Sequence, residues 1–202
     1  MRASSASAST LSALQVEVHI HGRPRVGEAC SGDAGAARTI AGVTWVLLVD
    51  GLGHGDAAHE VASRALDEHA RFDAELSIDA AFRRLHDRLV GSRGAAATLL
   101  RFGERSVGFT GIGNIVMRTL AGRSLPYVAT AGILGKPPLR LRSGQVELAS
   151  AGRLVLFTDG VARTAPMHAL VGLDPDALCR KLIAEHSVER DDATVVHVDY
   201  RP

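Results

Sequence analysis

The chain has 202 residues, 46% hydrophobic and 4% aromatic, which suits one domain whose core is built from Ala, Val, Leu and Ile. Its 23 basic and 22 acidic residues leave a formal charge of +1, so no charge excess favours nucleic acid or an anionic membrane as partner. The two cysteines, Cys30 and Cys179, lack the spacing of a zinc motif or a disulfide framework and read as reduced thiols of a cytoplasmic protein.

Residues 1–12 lack the apolar region of a signal peptide and read as a disordered tail, leaving a single domain over residues 13–202. No apolar run approaches the roughly 18 residues that span a bilayer. Residues 13–20 alternate apolar and polar side chains, the pattern of a half-buried strand. Residues 21–38, punctuated by Gly, Pro and Ser, read as a loop. Residues 43–49 (V-T-W-V-L-L-V) are almost wholly apolar, as in a strand covered on both faces. That strand runs into D-G-L-G-H-G-D at 50–56 and then an Ala-rich helix over 57–70. A second helix follows over 78–90, with Ala81, Phe82, Leu85 and Leu89 on one face. Two helices in succession do not fit simple β-α-β alternation.

The second half is strand-rich. Residues 96–102, 106–111, 115–120, 125–129, 145–149 and 154–158 read as strands of an antiparallel meander. A helix is expected over 175–185, with Asp174 as N-cap and Pro175 at its first position. A last strand covers 195–198. The whole reads as an α+β domain with helices covering the strands' outer faces.

Four acidic sites stand out against this scaffold: Asp33, Asp50, Asp159, and Asp191 or Asp192. Asp50 and Asp159 end apolar runs, and the 191–192 pair precedes the last one. A single Asp-Gly at a strand end is ordinary turn chemistry. Several converging carboxylates are a different matter, because a low-dielectric site holds them ionised only with compensating cations. Oxygen ligands without a matching His or Cys cluster suit a hard ion, Mg²⁺ or Mn²⁺. The G-x-G-x-G after residue 50 differs from the dinucleotide fingerprint, and the Asp before it disfavours a pyrophosphate. His59-Glu60 belongs to no H-E-x-x-H, which argues against a zinc protease.

In order along the chain lie S-G-D at 31–33, D-G-L-G-H-G at 50–55, G-A-A-A-T at 94–98, G-I-G-N at 111–114, F-T-D-G at 157–160 and D-D-A-T at 191–194. With these motifs the chain resembles the metal-dependent type 2C protein phosphatases, in their SpoIIE-like bacterial branch. R-G-A-A-A-T-L-L at 93–100, A-G-I-L-G-K-P at 131–137 and the short length are similar to the small single-domain phosphatases of the stressosome. The resemblance spans residue 15 to the end. It implies an αββα sandwich: two antiparallel sheets flanked by helices, with two Mn²⁺ or Mg²⁺ ions at one edge. It implies that Asp50 bridges the ions, that the Gly51 carbonyl binds one of them, that Asp159 and Asp191 hold the other, and that Asp33 approaches the second ion directly or through water. Asp192 ranks below Asp191, since many relatives carry Asn there. The implied reaction is attack of a metal-bridging hydroxide on phosphoserine or phosphothreonine of STAS-domain proteins in a stressosome or partner-switching pathway. A phosphorylated anti-sigma-factor antagonist is an alternative substrate, and a non-catalytic phosphatase-fold binding module is the alternative from another class. Many relatives place a His directly after D-G. Here Leu52 stands there; His54 is the candidate substitute for the catalytic acid, and metal-bound water is the alternative proton source. The phosphate-binding arginine is open among Arg23, Arg25 and Arg38.

Overall fold

Strand β3 (Val43–Gly51) explains the layering of the molecule. Its side chains alternate between two apolar surroundings, so both faces are buried. Val46 and Leu48 point into one hydrophobic cluster, and Trp45, Leu47 and Val49 into another. The computed structural model describes residues 14–202, so the tail expected over residues 1–12 lies outside the described residues.

On one side of β3 lie the helices α1 (Asp56–His69) and α2 (Ile78–Leu89), whose Val61, Ala62, Ala65, Phe82, Leu85 and Leu89 close the second cluster. Ser77 caps α2, its side chain accepting from the Ala80 N–H at 3.2 Å. On the other side lies a second sheet. The first sheet contains β2 (Asp33–Ile40), β3, β4 (Ala95–Gly103), β5 (Ser106–Ile112) and β7 (Gly144–Glu147), in the order β2-β3-β4-β5-β7. The second contains β1 (Gln15–Arg23), β6 (Val116–Ala121), β8 (Gly152–Phe157) and β9 (Ala193–Arg201), in the order β1-β9-β8-β6. Every strand pairing is antiparallel. After a short α3 (Met167–Leu170), α4 (Pro175–His186) covers the second sheet's outer face. Asp174 caps α4 by accepting from Asp176 and Ala177. A third apolar cluster, with Val155, Phe157, Leu178, Leu182 and Val195, fills that contact. The expected αββα sandwich is the observed architecture, held by three apolar layers.

Three local expectations are corrected. Residues 21–38 are not all loop: β1 runs on to Arg23, and β2 begins at Asp33. The sequence D-A-G-A-A-R-T-I has poor strand propensity, and it is paired because β3 supplies a complete ladder from Asp33↔Asp50 to Ile40↔Val43. Its small residues serve sheet packing, since a Cβ on Gly35 would lie 2.9 Å from both Ile20 and Val196 of the facing sheet. Residues 125–129 form no strand. Pro126 removes a donor, and Leu125 and Tyr127 plug the core from a loop, with Tyr127 and Thr98 hydroxyls 2.6 Å apart. Nor is the second half one meander, because β6 and β8 pair in one sheet while β5 and β7 pair in the other.

Candidate metal centre

The period-2 alternation of strands delivers the acidic residues to one place. On β3, Val46 and Leu48 face the second sheet, and Asp50 continues that face. Asp33 is the cross-strand partner of Asp50 and shares it. From the opposite sheet, Leu154 and Leu156 of β8 point inward, so Thr158 does too, and Asp159 follows at the strand's end. On β9, Val196 and Val198 point inward, and Thr194 and Asp192 continue the same face toward the strand's start. The two sheets thus bring Asp33, Asp50, Asp159, Asp191 and Asp192 to one edge of the sandwich. Burial is graded across them. Asp33 and Asp192 are buried, Asp50 and Asp191 half-buried, and Asp159 exposed.

Hydrogen bonds separate braces from free carboxylates. Asp192 accepts the Arg25 N–H at 2.7 Å on one oxygen and the Gly32 N–H at 2.8 Å on the other. Both its oxygens are spent fastening the loop that leads into β2. Asp33 accepts from the Thr158 hydroxyl at 2.5 Å, and that hydroxyl itself accepts the Thr194 N–H at 3.0 Å. Asp159 accepts from the Asn114 side-chain amide at 2.7 Å, and Arg163 donates to the Asn114 carbonyl at 3.0 Å. Among the described residues the Asp191 carboxylate accepts only from its neighbour's N–H, at 3.0 Å. Gly160 admits no side chain, because a Cβ would lie 1.8 Å from the Asp192 carbonyl oxygen. This contact accounts for the glycine of F-T-D-G.

The electrostatics are those of uncompensated negative charge. Burial first, then Asp50, pushes the Asp33 carboxyl well above the usual carboxylate range, against the opposing Thr158 hydrogen bond. Asp50 is raised by burial, by Asp159, Asp191 and Asp192, and by a hydrogen bond with Asp159. Asp191 is raised by burial and Asp159, with Arg25 opposing. Among the described residues none of the five carboxylates makes an ion pair. Nor are three of them drawn into a tight ligand cage among the described residues. The mutual repulsion carries more weight than the open spacing, because side-chain rotation can close the spacing and no basic side chain pairs with these carboxylates among the described residues. An all-oxygen set with excess negative charge fits hard divalent cations.

The remaining expected residues divide. The Gly51 N–H donates to the Gly32 carbonyl at 2.9 Å, which places Gly51 at the same edge. His54 sits on the exposed outer part of the turn, its Nδ1 2.7 Å from Glu28. Arg23 is committed to Ser187 and to the carbonyls of Pro24, Val188 and Asp191, and Arg38 to those of Ala70 and Phe72. Arg23 reaches the backbone of this edge at the Asp191 carbonyl, and Arg25 bears on its charge, opposing the rise of the Asp191 carboxyl. Asn114, in the G-I-G-N motif, and Thr158, in F-T-D-G, received no role from sequence. Their motifs were the only signal.

No protein-family model and no curated protein matches the chain. Solved structures do. The PP2C phosphatase domain of SpoIIE from Bacillus subtilis, solved with a fragment of its regulatory domain, superposes with a TM-score of 0.71 at 16% identity over 93% of this chain and 64% of that one. The chain has the type 2C phosphatase fold. RsbX in complex with magnesium is similar at a TM-score of 0.78 and 19% identity, over 93% of this chain and 99% of that one. A chain described with the bacterial stressosome, as a modular system adapted to control secondary messenger signalling, is 28% identical with a TM-score of 0.83. It covers 91% of this chain and 99% of its own length. No described helix is long and apolar enough to cross a membrane.

Proposed function

We propose that this chain is a cation-dependent protein serine/threonine phosphatase acting on phosphorylated STAS-domain regulators of a stressosome or partner-switching pathway. The observation that carries the reading is five aspartates at one edge of a type 2C fold, with no ion-pair partner among the described residues. The similarity to RsbX and to a stressosome chain supports the signalling setting. The thiols of Cys30 and Cys179 are unpaired, which supports a cytoplasmic location.

Asp50, the Gly51 carbonyl, Asp33, Asp159 and Asp191 would hold two Mn²⁺ or Mg²⁺ ions. Such ions, when bound, acidify water and neutralise charge on a phosphoryl group. The chain's own residues do the rest. Thr158 fixes the orientation of Asp33, and Asn114 that of Asp159. Asp192 holds the loop at Arg25 and Gly32 against the site. Water attacks phosphorus in line, and the bond to the serine or threonine oxygen breaks. The departing alkoxide needs a proton. His54 can supply it from Nε2, which has no partner among the described residues while Nδ1 engages Glu28.

The test is phosphate release from a phosphorylated STAS-domain protein with and without Mn²⁺, for wild type, Asp50→Ala and Asp159→Ala. The reading expects Mn²⁺-dependent release that falls to near background in both variants. No metal-dependent release, or full activity in both variants, overturns it. Binding without release instead supports a non-catalytic module.

A further inference from the structure

Beside the acidic edge the chain builds a second feature, which the chemistry above does not use. Six large apolar side chains are exposed among the described residues, and two of them, Leu52 and Ile133, belong to segments that flank Gly94. The β3–β4 ladder pairs Asp50 with Ala96 and Gly51 with Ala95, and it continues as the Leu52 N–H donates to the Gly94 carbonyl at 3.0 Å. On the far side of that strand the 133–136 segment is stapled alongside. Ala95 and Leu134 exchange two backbone hydrogen bonds, of 3.1 and 2.8 Å, and Ile133 packs against Gly94. Gly135 lies against Leu89, one residue before Val90, and Lys136 donates to the Ser92 carbonyl at 2.7 Å. Leu52 therefore stands two residues, or about 7 Å, along the strand from Asp50.

Two cations accompany these apolar groups. The guanidinium of Arg93 lies against Gly53, where a Cβ would be 2.7 Å from its Nη1. The side chain is exposed and makes no hydrogen bond or ion pair among the described residues. Lys136 is likewise exposed. Glu28, with its His54, lies against Gly55, and the exposed Asp56 follows that glycine with the Cys30 thiol beside it, away from Gly53 and Arg93 in the turn. The rim is thus apolar and basic, rigidly attached to β3 and β4, and continuous with the acidic edge.

We infer that the rim of Leu52, Ile133 and Arg93 is the docking surface for the phosphoprotein substrate. It engages a protein face that presents an apolar side chain beside the phosphorylated residue and an acidic group beyond it. The occupant follows from continuity with the acidic edge and from charge, since Arg93 and Lys136 complement an anionic partner. The inference rests on the phosphatase reading for the identity of that occupant. Leu52 and Ile133 together with Arg93 offer a wider contact than a small phosphate monoester covers, so a folded protein gains more from them.

The experiment compares wild type with Leu52→Ser, Ile133→Ser and Arg93→Glu in the full chain with Mn²⁺, after thermal melts establish that each variant is folded. Two substrates are used, p-nitrophenyl phosphate and a phosphorylated STAS-domain protein. The expected result is a KM for the phosphoprotein raised about tenfold, with p-nitrophenyl phosphate turnover within about twofold of wild type. Parallel loss on both substrates, or an unchanged KM for the phosphoprotein, overturns the inference. Binding of the same phosphoprotein in EDTA reads the surface without turnover. Weaker binding in the variants, with a wild type that hydrolyses neither substrate, upholds the surface and overturns the phosphatase reading. A wild-type dimer that the variants convert to monomer, with phosphoprotein binding unchanged, assigns the rim to a second copy of the chain and overturns the inference.

Discussion

Asp191 and Asp192 are neighbours of one residue type, yet the structure holds them differently, and substitution should separate them. Asp192 is 3% exposed and accepts two backbone N–H groups, from Arg25 and Gly32. Asp192→Ala leaves both donors unpaired in a buried place. A hydrogen bond to a charged group contributes roughly 1.5–3 kcal/mol, so the loss should be about 3–5 kcal/mol, at the lower end because repulsion with Asp33 and Asp50 is relieved. In a chain of this size that lowers Tm by about 10 °C. Asp191 is half-buried and accepts one local hydrogen bond, and its carboxyl is raised by burial and Asp159. Asp191→Ala should change stability by less than about 1 kcal/mol while weakening Mn²⁺ binding. Thermal melts in EDTA read the first effect, and Mn²⁺ titration reads the second. Equal melting temperatures for the two variants would refute the division, as would wild-type Mn²⁺ affinity in Asp191→Ala.

Two further outcomes follow from buried charge. Asp33 is raised above the unfolded carboxylate range, so it costs stability in the metal-free fold at neutral pH. Asp33→Asn keeps an acceptor for Thr158 and should raise Tm in EDTA at pH 7.5 by about 5 °C or more, whereas added Mn²⁺ should stabilise wild type more than the variant; a lower Tm for the variant in EDTA contradicts this. His69, packed edge-on against Phe72 at 5.4 Å, is held by burial at about 4. The unfolded chain then binds the extra proton between about pH 6.5 and 4, and stability should fall across that window as pH drops, by up to roughly 3 kcal/mol. His69→Phe should flatten this part of the pH profile, and identical slopes for the two proteins would remove the assignment.

Much of the site was legible because strands obey a period of two. The apolar run over 43–49 announces a strand buried on both faces, and the face of Asp50 follows from counting. The order of the motifs then supplied Asp33, Asp159 and the 191–192 pair, all of which the fold brings to one edge. What escaped reading depends on partners distant in sequence. The Ala- and Gly-rich β2 has little propensity of its own and forms on β3's ladder, with Gly35 chosen by the facing sheet. Residues 125–129 carry apolar alternation, but Leu125 and Tyr127 use it to plug the core from a loop. The role of Asp192 rests on two N–H groups about 160 residues away, which no local pattern records. The same holds for Asn114 and its contact with Asp159.

The central claim is that the sandwich edge at Asp50 binds the divalent cations on which catalysis depends. Calorimetric titration of Mn²⁺ into wild type and Asp50→Asn tests it most directly. The account predicts saturable binding to wild type, weakened by about tenfold or more in the variant, which remains folded. Equal binding by both proteins, or none by wild type, would contradict it.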